Sequence, residues 1–139
     1  MMKLFVIQST HIHQVWHKVA PLLNEALNKN QNEYTLDQLK MSLVQGLQTL
    51  LVYMDEETEE IPLALTIQWN DMPNDRIAYI TYISGTHTLE IWNDLITWIK
   101  GNGGTKLQGA TNNPAVVKLW DKQFNMKPIY TLMNYTIEE

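Results

Sequence analysis

Residues 77–135 constrain the fold of this chain more than any other stretch, because strand and helix patterns alternate there. Residues 76–83 are rich in Ile, Tyr and Thr and predict a strand, and residues 88–100 carry apolar side chains at helical spacing. Residues 106–110 predict a second strand and residues 114–124 a second helix. Two consecutive strands joined through a helix run parallel in one sheet. The stretch therefore predicts a parallel crossover followed by a further helix.

The chain before this stretch begins with one predicted strand and two predicted helices. Residues 3–8 form the strand, and residues 12–27 repeat apolar side chains at helical spacing. Pro21 lies inside that repeat and lacks a backbone donor, so we expect it to kink or divide the first helix. Thr35 and Gln38 have the spacing of a capping box and mark the start of the second helix.

Three strands in succession are predicted after the second helix. They cover residues 49–54, 62–69 and 76–83, and the turn clusters between them are short enough for antiparallel hairpins. A final extended stretch covers residues 126–137. The element order is β-α-α-β-β-β-α-β-α-β, which predicts an α/β fold with a mixed sheet and helices on both faces. The whole chain, residues 1–139, is predicted to be a single domain.

Composition excludes several classes of function. The chain has 139 residues, a net charge of -5 and no cysteine. The negative charge argues against binding to nucleic-acid backbones, which requires clustered Lys and Arg. The lack of cysteine excludes disulfides, thiolate nucleophiles and Cys-based zinc sites. Because apolar runs fall short of the ~20 residues that a membrane helix needs, we expect a globular protein inside a cell or inside a particle assembled in one.

A spaced pattern near the C-terminus carries a resemblance to a known family. Its positions are Asn113, Ala115, Leu119-Trp120 and Asn125-Met126. With the element order, this pattern resembles the GCN5-related N-acetyltransferases (GNAT), in which Asn, Ala, a Leu-Tyr pair and Gly-Phe occupy the matching places. The resemblance covers nearly the whole chain. It implies a GNAT-like acyl-CoA N-acyltransferase fold, acetyl-CoA as the cofactor and acetyl transfer to an amine.

Further positions are similar to small GNAT-like proteins that tailed bacteriophages encode. The shared positions are Val15-Trp16, Pro21-Leu22-Leu23, Tyr34-Thr35-Leu36, Gly46, Leu47-Gln48, Gly85 and Trp92. This second resemblance implies that the protein acts in the host cytoplasm or in the virion.

The family resemblance also places a cofactor loop between the third strand of the meander and the next helix. In the family, backbone N–H groups of a Gly-rich loop and of the helix N-terminus hold the cofactor pyrophosphate. This loop has one glycine where the family has two small residues, and no Arg or Gln precedes it. A plain strand-to-helix turn is therefore favoured over a cofactor site. If acetyl-CoA binds, the resemblance implies that the contacts are Ile83, Gly85, Thr86, His87 and Thr88, with Asn113 on the pantetheine side.

The proton-transfer groups of the family are altered as well. The acid is often the Tyr of the Leu-Tyr pair, and Trp120 stands in its place with an N–H that is far too weak an acid. The base is often a carboxylate on the strand before the loop, and residues 76–83 contain none. Tyr82 is the candidate for proton handling, with a packing role as its alternative. Tyr79 lies three positions earlier, hence on the opposite face of a regular strand.

Two other features of the sequence bear on its chemistry. His13 and His17 are four residues apart on a predicted helix, but zinc needs a third and a fourth ligand, so no metal site is predicted. The cofactor cleft between the parallel strands must be empty for acetyl-CoA to enter, and Trp92 or Trp120 is large enough to fill it.

Two functions are compatible with these features. The favoured one is a catalytically degenerate phage-type module that acts in the virion, in its assembly or on a host protein, with a protein partner or a homo-oligomeric state. Trp69, Trp92 and Trp98 are candidates for its contact surface, and core packing is the alternative for them. The second function is an acetyl-CoA-dependent N-acetyltransferase for a small amine, which works by positioning its reactants.

Overall fold

The computed structural model describes residues 1–29, 33–86 and 88–138, and the mixed α/β fold class predicted from the sequence is confirmed. The described residues form five strands, four α-helices and a short 3-10 turn, Ser9–His11. In chain order the elements are β1 (Met2–Ile7), α1 (Ile12–Asn28), α2 (Leu36–Val44), β2 (Thr49–Asp55), β3 (Leu63–Asp71), β4 (Arg76–Gly85), α3 (Thr88–Gly101), β5 (Lys106–Gly109) and α4 (Pro114–Phe124).

The strands form one sheet in the order β1-β2-β3-β4-β5. The pairs β1–β2, β2–β3 and β3–β4 are antiparallel. Short turns join β2 to β3 and β3 to β4, whereas α1 and α2 lie between β1 and β2. The pair β4–β5 is parallel, and α3 makes the crossover between these strands. The predicted meander and the predicted crossover are both confirmed.

Two hydrophobic cores cover the two faces of this sheet. On one face, α1 and α2 pack on alternate residues of the central strands; on the other, α3 packs on the remaining residues. The period-2 alternation of the strands therefore divides the buried apolar side chains between the helices. The first core contains Ile12, Val19, Leu23, Leu39, Leu43, Leu50, Val52 and Ala64, and the second contains Leu51, Leu63, Leu65, Ile67, Ile91, Leu95 and Ile99.

Helix α1 continues through Pro21 as a single helix of 17 residues, so Pro21 does not divide the helix, and the kink stays a prediction. Val19 and Leu23, on either side of the proline, are fully buried, and their packing on the sheet keeps both halves in one helix. The capping box of α2 is confirmed: Gln38 N–H donates to Thr35 Oγ1 at 3.2 Å, and Thr35 N–H donates to Gln38 Oε1 at 2.8 Å. Across the described ranges, none of the helices combines the length and apolarity needed to cross a membrane.

A bulge interrupts β4 at Thr81. Thr66 of β3 pairs with Tyr82 of β4. The next residue, Ile67, pairs with Ile80, so Thr81 is an extra residue on the β4 side. Because a bulge shifts the alternation of side chains by one position, the residues after it face the opposite side from the one that a regular strand would give them.

This shift corrects the orientation of the two tyrosines. Ile80 and Ile83 both pack on the α3 face although they are three positions apart, and Tyr82 packs on the α1 face. Tyr79 alternates with Ile80 in the regular part of the strand and so faces the same side as Tyr82. The prediction that Tyr79 and Tyr82 lie on opposite faces is therefore wrong.

A buried polar network holds the bulge. Thr81 Oγ1 donates to Gln48 Oε1 at 2.6 Å, and the hydroxyl of Thr66 lies 2.5 Å from the hydroxyl of Thr81. Gln48 Nε2 in turn donates to Ser42 Oγ at 3.3 Å, at the C-terminal end of α2. Ser42, Gln48 and Thr66 are all buried, so these groups depend on one another for hydrogen bonds.

We expect Thr81→Val to lower the free energy of unfolding by ~1–3 kcal/mol, because the shape is kept while a buried amide oxygen loses its donor. Urea denaturation measures the change. Thr97→Val is the matched control, since Thr97 is exposed on α3 and donates only to the Asn93 carbonyl, and it should change stability by less than ~0.5 kcal/mol. Equal losses for the two variants would contradict a stabilising network at the bulge.

The last predicted strand is not formed. Residues 126–138 belong to no strand or helix, and β5 ends the sheet with β4 as its one neighbour in the described structure. The segment has the composition of a strand. It does not form one in the described structure because no neighbouring strand there supplies hydrogen-bond partners for its backbone. Its large apolar side chains are exposed: Ile129, Tyr130, Leu132, Met133, Tyr135 and Ile137.

Candidate functional site

A wedge opens between β4 and β5 where their pairing stops. The parallel ladder ends with Ile80 opposite Gly109, and the bulge at Thr81 follows directly. The remainder of β4, through Gly85, therefore has β3 on one side and no strand on the other among the described residues. The residues that line the wedge are mostly apolar: Ile80, Ile83, Thr88, Ile91, Trp92, Leu95, Gly109, Trp120, Phe124 and Met126.

Aromatic side chains occupy most of this wedge. The rings of Trp92 and Phe124 stack with their centroids 4.4 Å apart and thereby join α3 to α4. The ring of Trp120 lies against Gly109, 3.6 Å from the position that a Cβ atom would take there. The remaining cavity is small, with a volume of about 30 Å³. Trp92 and Trp120, the two residues considered from the sequence, are therefore both in the wedge.

Gly85 has a structural role in the loop that follows the wedge. Its φ is +122°, and a Cβ atom there would lie 2.1 Å from the carbonyl oxygen of Pro62, a distance that no side chain can adopt. The N–H of Thr86 donates to that same carbonyl at 2.9 Å. The start of β3 thus fixes this turn and uses one of the amides that a phosphate would need. A strand-to-helix turn, the favoured interpretation of the loop, accounts for both features.

The other residues of the predicted cofactor set occupy different positions. Ile83 and Thr88 line the wedge. His87 lies outside the residues that the structure describes. Asn113 is the N-cap of α4, and its side-chain oxygen accepts a hydrogen bond from the N–H of Ala115 at 3.0 Å. Two of the predicted contacts, Ile83 and Thr88, therefore line the wedge. Gly85 and Asn113 instead have structural roles, in the turn and at the N-cap of α4.

A cluster of tyrosines lies on the α1 face of the sheet beside the bulge. The rings of Tyr34 and Tyr82 meet edge to face, with centroids 6.0 Å apart. Burial raises the pKa of Tyr82, and the negative charge of Glu33 raises it further. Burial and Glu33 raise the pKa of Tyr79 in the same way. Both hydroxyls therefore stay protonated at neutral pH and can donate hydrogen bonds.

Glu33 is a functional candidate that the sequence reasoning missed. The family pattern has its carboxylate on the strand before the loop, whereas Glu33 lies in the connection before α2, and its charge raises the pKa of Tyr79 and Tyr82. Its only sequence signal is its place next to Tyr34, immediately before the capping box of α2. The local sequence does not indicate the three-dimensional approach, because it depends on how α1 and α2 pack on the sheet.

Spectrophotometric titration at 295 nm should separate Tyr79 and Tyr82 from the other tyrosines. Their pKa values are raised above the ordinary value of 10.0, so their ionisation should follow that of exposed tyrosines. The unfolded chain loses these protons first, so the free energy of unfolding should fall once the pH rises above about 10. The variant Tyr82→Phe should remove part of the late phase. A single transition for all tyrosines near pH 10 would contradict the raised pKa values.

The histidines and tryptophans singled out in the sequence take no part in this site, except for Trp92 and Trp120. His11, His13 and His17 are exposed, and no group of three metal-ligating side chains occurs in the described ranges. Trp69 and Trp98 are half-buried and pack on each other with ring centroids 5.6 Å apart. Trp69, Trp92 and Trp98 are therefore engaged in contacts within the chain.

Comparisons with known proteins identify the fold. No protein-family model matches the chain, and no curated protein matches it either. An aminoglycoside acetyltransferase from an uncultured soil metagenomic sample, solved with sisomicin, is similar to it with a TM-score of 0.72 and 12% identity over 99% of this chain and 97% of that one. A ribosomal-protein-alanine N-acetyltransferase from Brucella melitensis biovar Abortus 2308 gives a TM-score of 0.68 and 14% identity over 100% and 99% of the two chains.

An acetyltransferase from Trypanosoma brucei is similar as well, with a TM-score of 0.66 and 10% identity over 99% of this chain and 100% of that one. Identities this low establish a shared fold and leave the substrate open. The similarity extends over essentially the full length of each structure, so it concerns the whole architecture rather than one motif. The chain therefore has the fold of the GCN5-related N-acetyltransferases.

Proposed function

We propose that this protein is an acetyl-CoA-dependent N-acetyltransferase that acts on an amine. The observation that carries the proposal is the wedge between β4 and β5, which has a free β4 edge on one side and leads directly to the N-terminus of α3. A flexible amide-containing chain fits such a place, because a strand edge offers it backbone hydrogen bonds and the apolar walls cover its methylene groups. The acetyltransferases of the same fold support this proposal.

The residues of the wedge fit the cofactor in chemistry, and the aromatic rings must move to make room for it. Ile83 and Thr88 would contact its pantetheine arm, and Asn113 stands at the start of α4 on the far side. The first turn of α3 would face the pyrophosphate, since unpaired N–H groups at a helix start favour an anion. Bound acetyl-CoA supplies an acetyl group activated as a thioester. Met126 and Phe124 line the wedge at the C-terminal end of α4, and we expect these two side chains to move.

The chain's own groups can handle the protons of this reaction. In this proposal Glu33, whose charge acts on Tyr82, accepts the proton that the attacking amine loses. In this proposal the hydroxyl of Tyr82, kept protonated by its raised pKa, donates its proton to the departing sulfur. Tyr82 takes this role because Trp120, at the family's usual acid position, packs on Gly109 and has no acidic proton.

The degenerate phage-type module favoured by the sequence has less support. The solved structures described above are acetyltransferases, and they favour the enzyme over the pseudoenzyme. The substrates in their names belong to those proteins, so the amine is defined here only by its chemistry. The resemblance to phage proteins, and with it the host cytoplasm or the virion as location, stays a prediction from the sequence.

An assay for thiol release tests the activity and the role of Tyr82 together. The chain has no cysteine, so any thiol that appears during incubation with acetyl-CoA and an amine comes from the cofactor. We expect Tyr82→Phe to lower kcat by roughly 10²-fold, the lower end of the range for acid–base groups. The control Tyr135→Phe, at an exposed position, should leave the rate unchanged. Turnover by the wild type with equal rates for both variants would contradict the role of Tyr82, and no turnover with any of a broad set of amines would contradict the activity.

A further inference from the structure

Four tyrosines lie near one another beside the bulge of β4. The rings of Tyr34 and Tyr82 meet at an interplanar angle of 86°, so they form two walls at nearly a right angle. Burial raises the pKa of Tyr79, and the charges of Glu33 and Tyr130 raise it further, so both of these groups lie near that ring. We call the group of Tyr34, Tyr79, Tyr82 and Tyr130 the tyrosine corner.

The tyrosine corner extends from the protein interior to solvent. Tyr82 is 4% exposed, Tyr34 and Tyr79 are half-buried, and Tyr130 is 76% exposed. Within the described ranges, the hydroxyls of Tyr34, Tyr79 and Tyr82 form no hydrogen bond. No buried polar side-chain atom lacks a partner in the described part of the chain, so these hydroxyls reach solvent. Since a buried Tyr hydroxyl ordinarily has a partner, these three are available to a ligand.

The charge at the tyrosine corner is negative and unpaired. Glu33 is exposed, and its carboxylate forms no ion pair with another described residue. Apart from burial, the effects that raise the pKa of Tyr79 and Tyr82 come from negative charges, those of Glu33 and of neighbouring tyrosines. A Lys or Arg close to the rings would lower these pKa values, and none of the described ones does. The corner therefore has a carboxylate and ring faces but no cation of its own.

Ring faces beside a carboxylate favour an alkylammonium ion as ligand. A cation within ~6 Å of a Tyr ring is attracted by the negative ring face, and groups of aromatic rings bind quaternary ammonium ions in this way. The carbon groups of the same ion gain from contact with the rings, because that contact removes apolar surface from water. A neutral ligand of equal shape gains only the apolar contact, and the charge of Glu33 repels an anion.

The tyrosine corner and the wedge meet where the β4–β5 ladder ends. Pairing stops with Ile80 opposite Gly109, and beyond this point no described strand covers the free edge of β4. Tyr82 packs on the α1 face and its neighbour Ile83 on the α3 face, where the wedge lies. A molecule in the corner can therefore reach a molecule in the wedge past this edge.

We propose that the tyrosine corner binds the acceptor as an aliphatic ammonium ion, so that the substrate class is a protonated alkylamine. The N–C bond to the acetyl group forms and the C–S bond breaks. Of the two protons that the ammonium loses, one passes through Glu33 to water, and the other replaces the proton that Tyr82 gives to the sulfur. The acceptor role rests on the proposed acetyl transfer, whereas binding of a cation is measurable without it.

Choline and 3,3-dimethyl-1-butanol test the corner on the full chain in the absence of acetyl-CoA. The two molecules have the same shape, and only choline carries a charge. Proton NMR titration of their methyl signals gives both dissociation constants. We expect choline to bind about 2–30-fold more tightly than the alcohol, the range that corresponds to one cation–π contact. A choline affinity no greater than that of the alcohol would overturn the proposal.

Two pairs of variants locate the choline site. Tyr34→Leu removes a ring and should weaken choline binding by about 2–30-fold, whereas Tyr34→Phe keeps the ring and should bind as the wild type does. Glu33→Gln removes the charge at an exposed position and should also weaken binding. Its matched control is Glu57→Gln, an exposed carboxylate between β2 and β3, which should have no effect. Wild-type affinity in both Tyr34→Leu and Glu33→Gln would overturn the site.

An acetylation assay separates this inference from the proposed function. The kcat/KM for alkylamines should exceed that for arylamines, which are neutral at pH 7, and choline should compete with the amine but not with acetyl-CoA. A chain that binds choline as expected but acetylates no amine would contradict the proposed function and keep the cation site. Turnover of alkylamines that choline does not inhibit would overturn the acceptor role of the tyrosine corner.

Discussion

Gly85→Ala is expected to destabilise the protein by ~4 kcal/mol or more, a loss found only when a substitution breaks a specific structural requirement. The added Cβ would lie 2.1 Å from the Pro62 carbonyl oxygen and 2.7 Å from the Cα of Leu63, and neither backbone atom can move without disturbing the β3–β4 pairing. The residue also has a φ of +122°, which costs any L side chain further strain. Since a domain is stable by ~5–15 kcal/mol, thermal unfolding should show a large fall in Tm or no folded protein at all.

Gly46→Ala is the matched control for this prediction. Gly46 also has a positive φ, +76°, but a Cβ atom there would have no neighbour within 4 Å. Its substitution adds the strain of the left-handed conformation alone, ~1–2 kcal/mol. Similar losses for the two variants would mean that the close approach to Pro62 does not matter, and Gly85 would then be free to serve the cofactor rather than the turn.

Gly109→Leu is expected to weaken binding of acetyl-CoA by roughly 10–100-fold, because it fills the wedge from the β5 side. The ring of Trp120 already lies against Gly109, and the cavity that remains in the wedge is small, about 30 Å³. Forcing extra atoms into a packed site costs ~1–3 kcal/mol. Because the bound cofactor and the leucine side chain would share the wedge, this cost lowers the binding free energy of acetyl-CoA. Calorimetric titration of the variant with acetyl-CoA measures the change.

Gly109→Ala separates this effect from a change at the backbone. A Cβ at this position would lie 3.6 Å from the Trp120 ring and 3.9 Å from Ile80, which is ordinary contact. The alanine variant should therefore bind the cofactor as the wild type does. A leucine variant with undiminished affinity and an unchanged Tm would exclude the wedge as the cofactor site.

The architecture could be predicted from the sequence because each of its elements has a strong local signal. The capping box at Thr35, the helical spacing after Thr88 and Pro114 at the first turn of α4 lie in single, uninterrupted patterns. The strand–helix–strand order of residues 76–110 then leaves a parallel crossover as the one ordinary connection. Local patterns of this kind do not depend on distant residues.

The site could be predicted only in part, because its decisive features depend on packing. The bulge at Thr81 depends on Gln48 and Ser42, which lie more than 30 residues earlier, and it turns Tyr82 to the face of Tyr79. The charge of Glu33 acts on the pKa of Tyr82, and its position relative to this residue depends on how α1 and α2 pack on the sheet. Residues 126–137 fit the local pattern of a strand, yet a strand also requires a neighbouring strand, and none pairs with these residues in the described structure.

Titration calorimetry of the full chain with acetyl-CoA and with free CoA tests the proposed function most directly. The titration should be run at two temperatures. Burial of the apolar wedge gives binding a negative heat-capacity change, so a binding enthalpy that is zero at one temperature is measurable at the other. We predict a dissociation constant of about 1–100 µM, within the usual range of substrate affinities. Absence of binding at ~1 mM ligand, above that range, would contradict a cofactor site in the wedge and would leave the fold without acetyl-transfer activity.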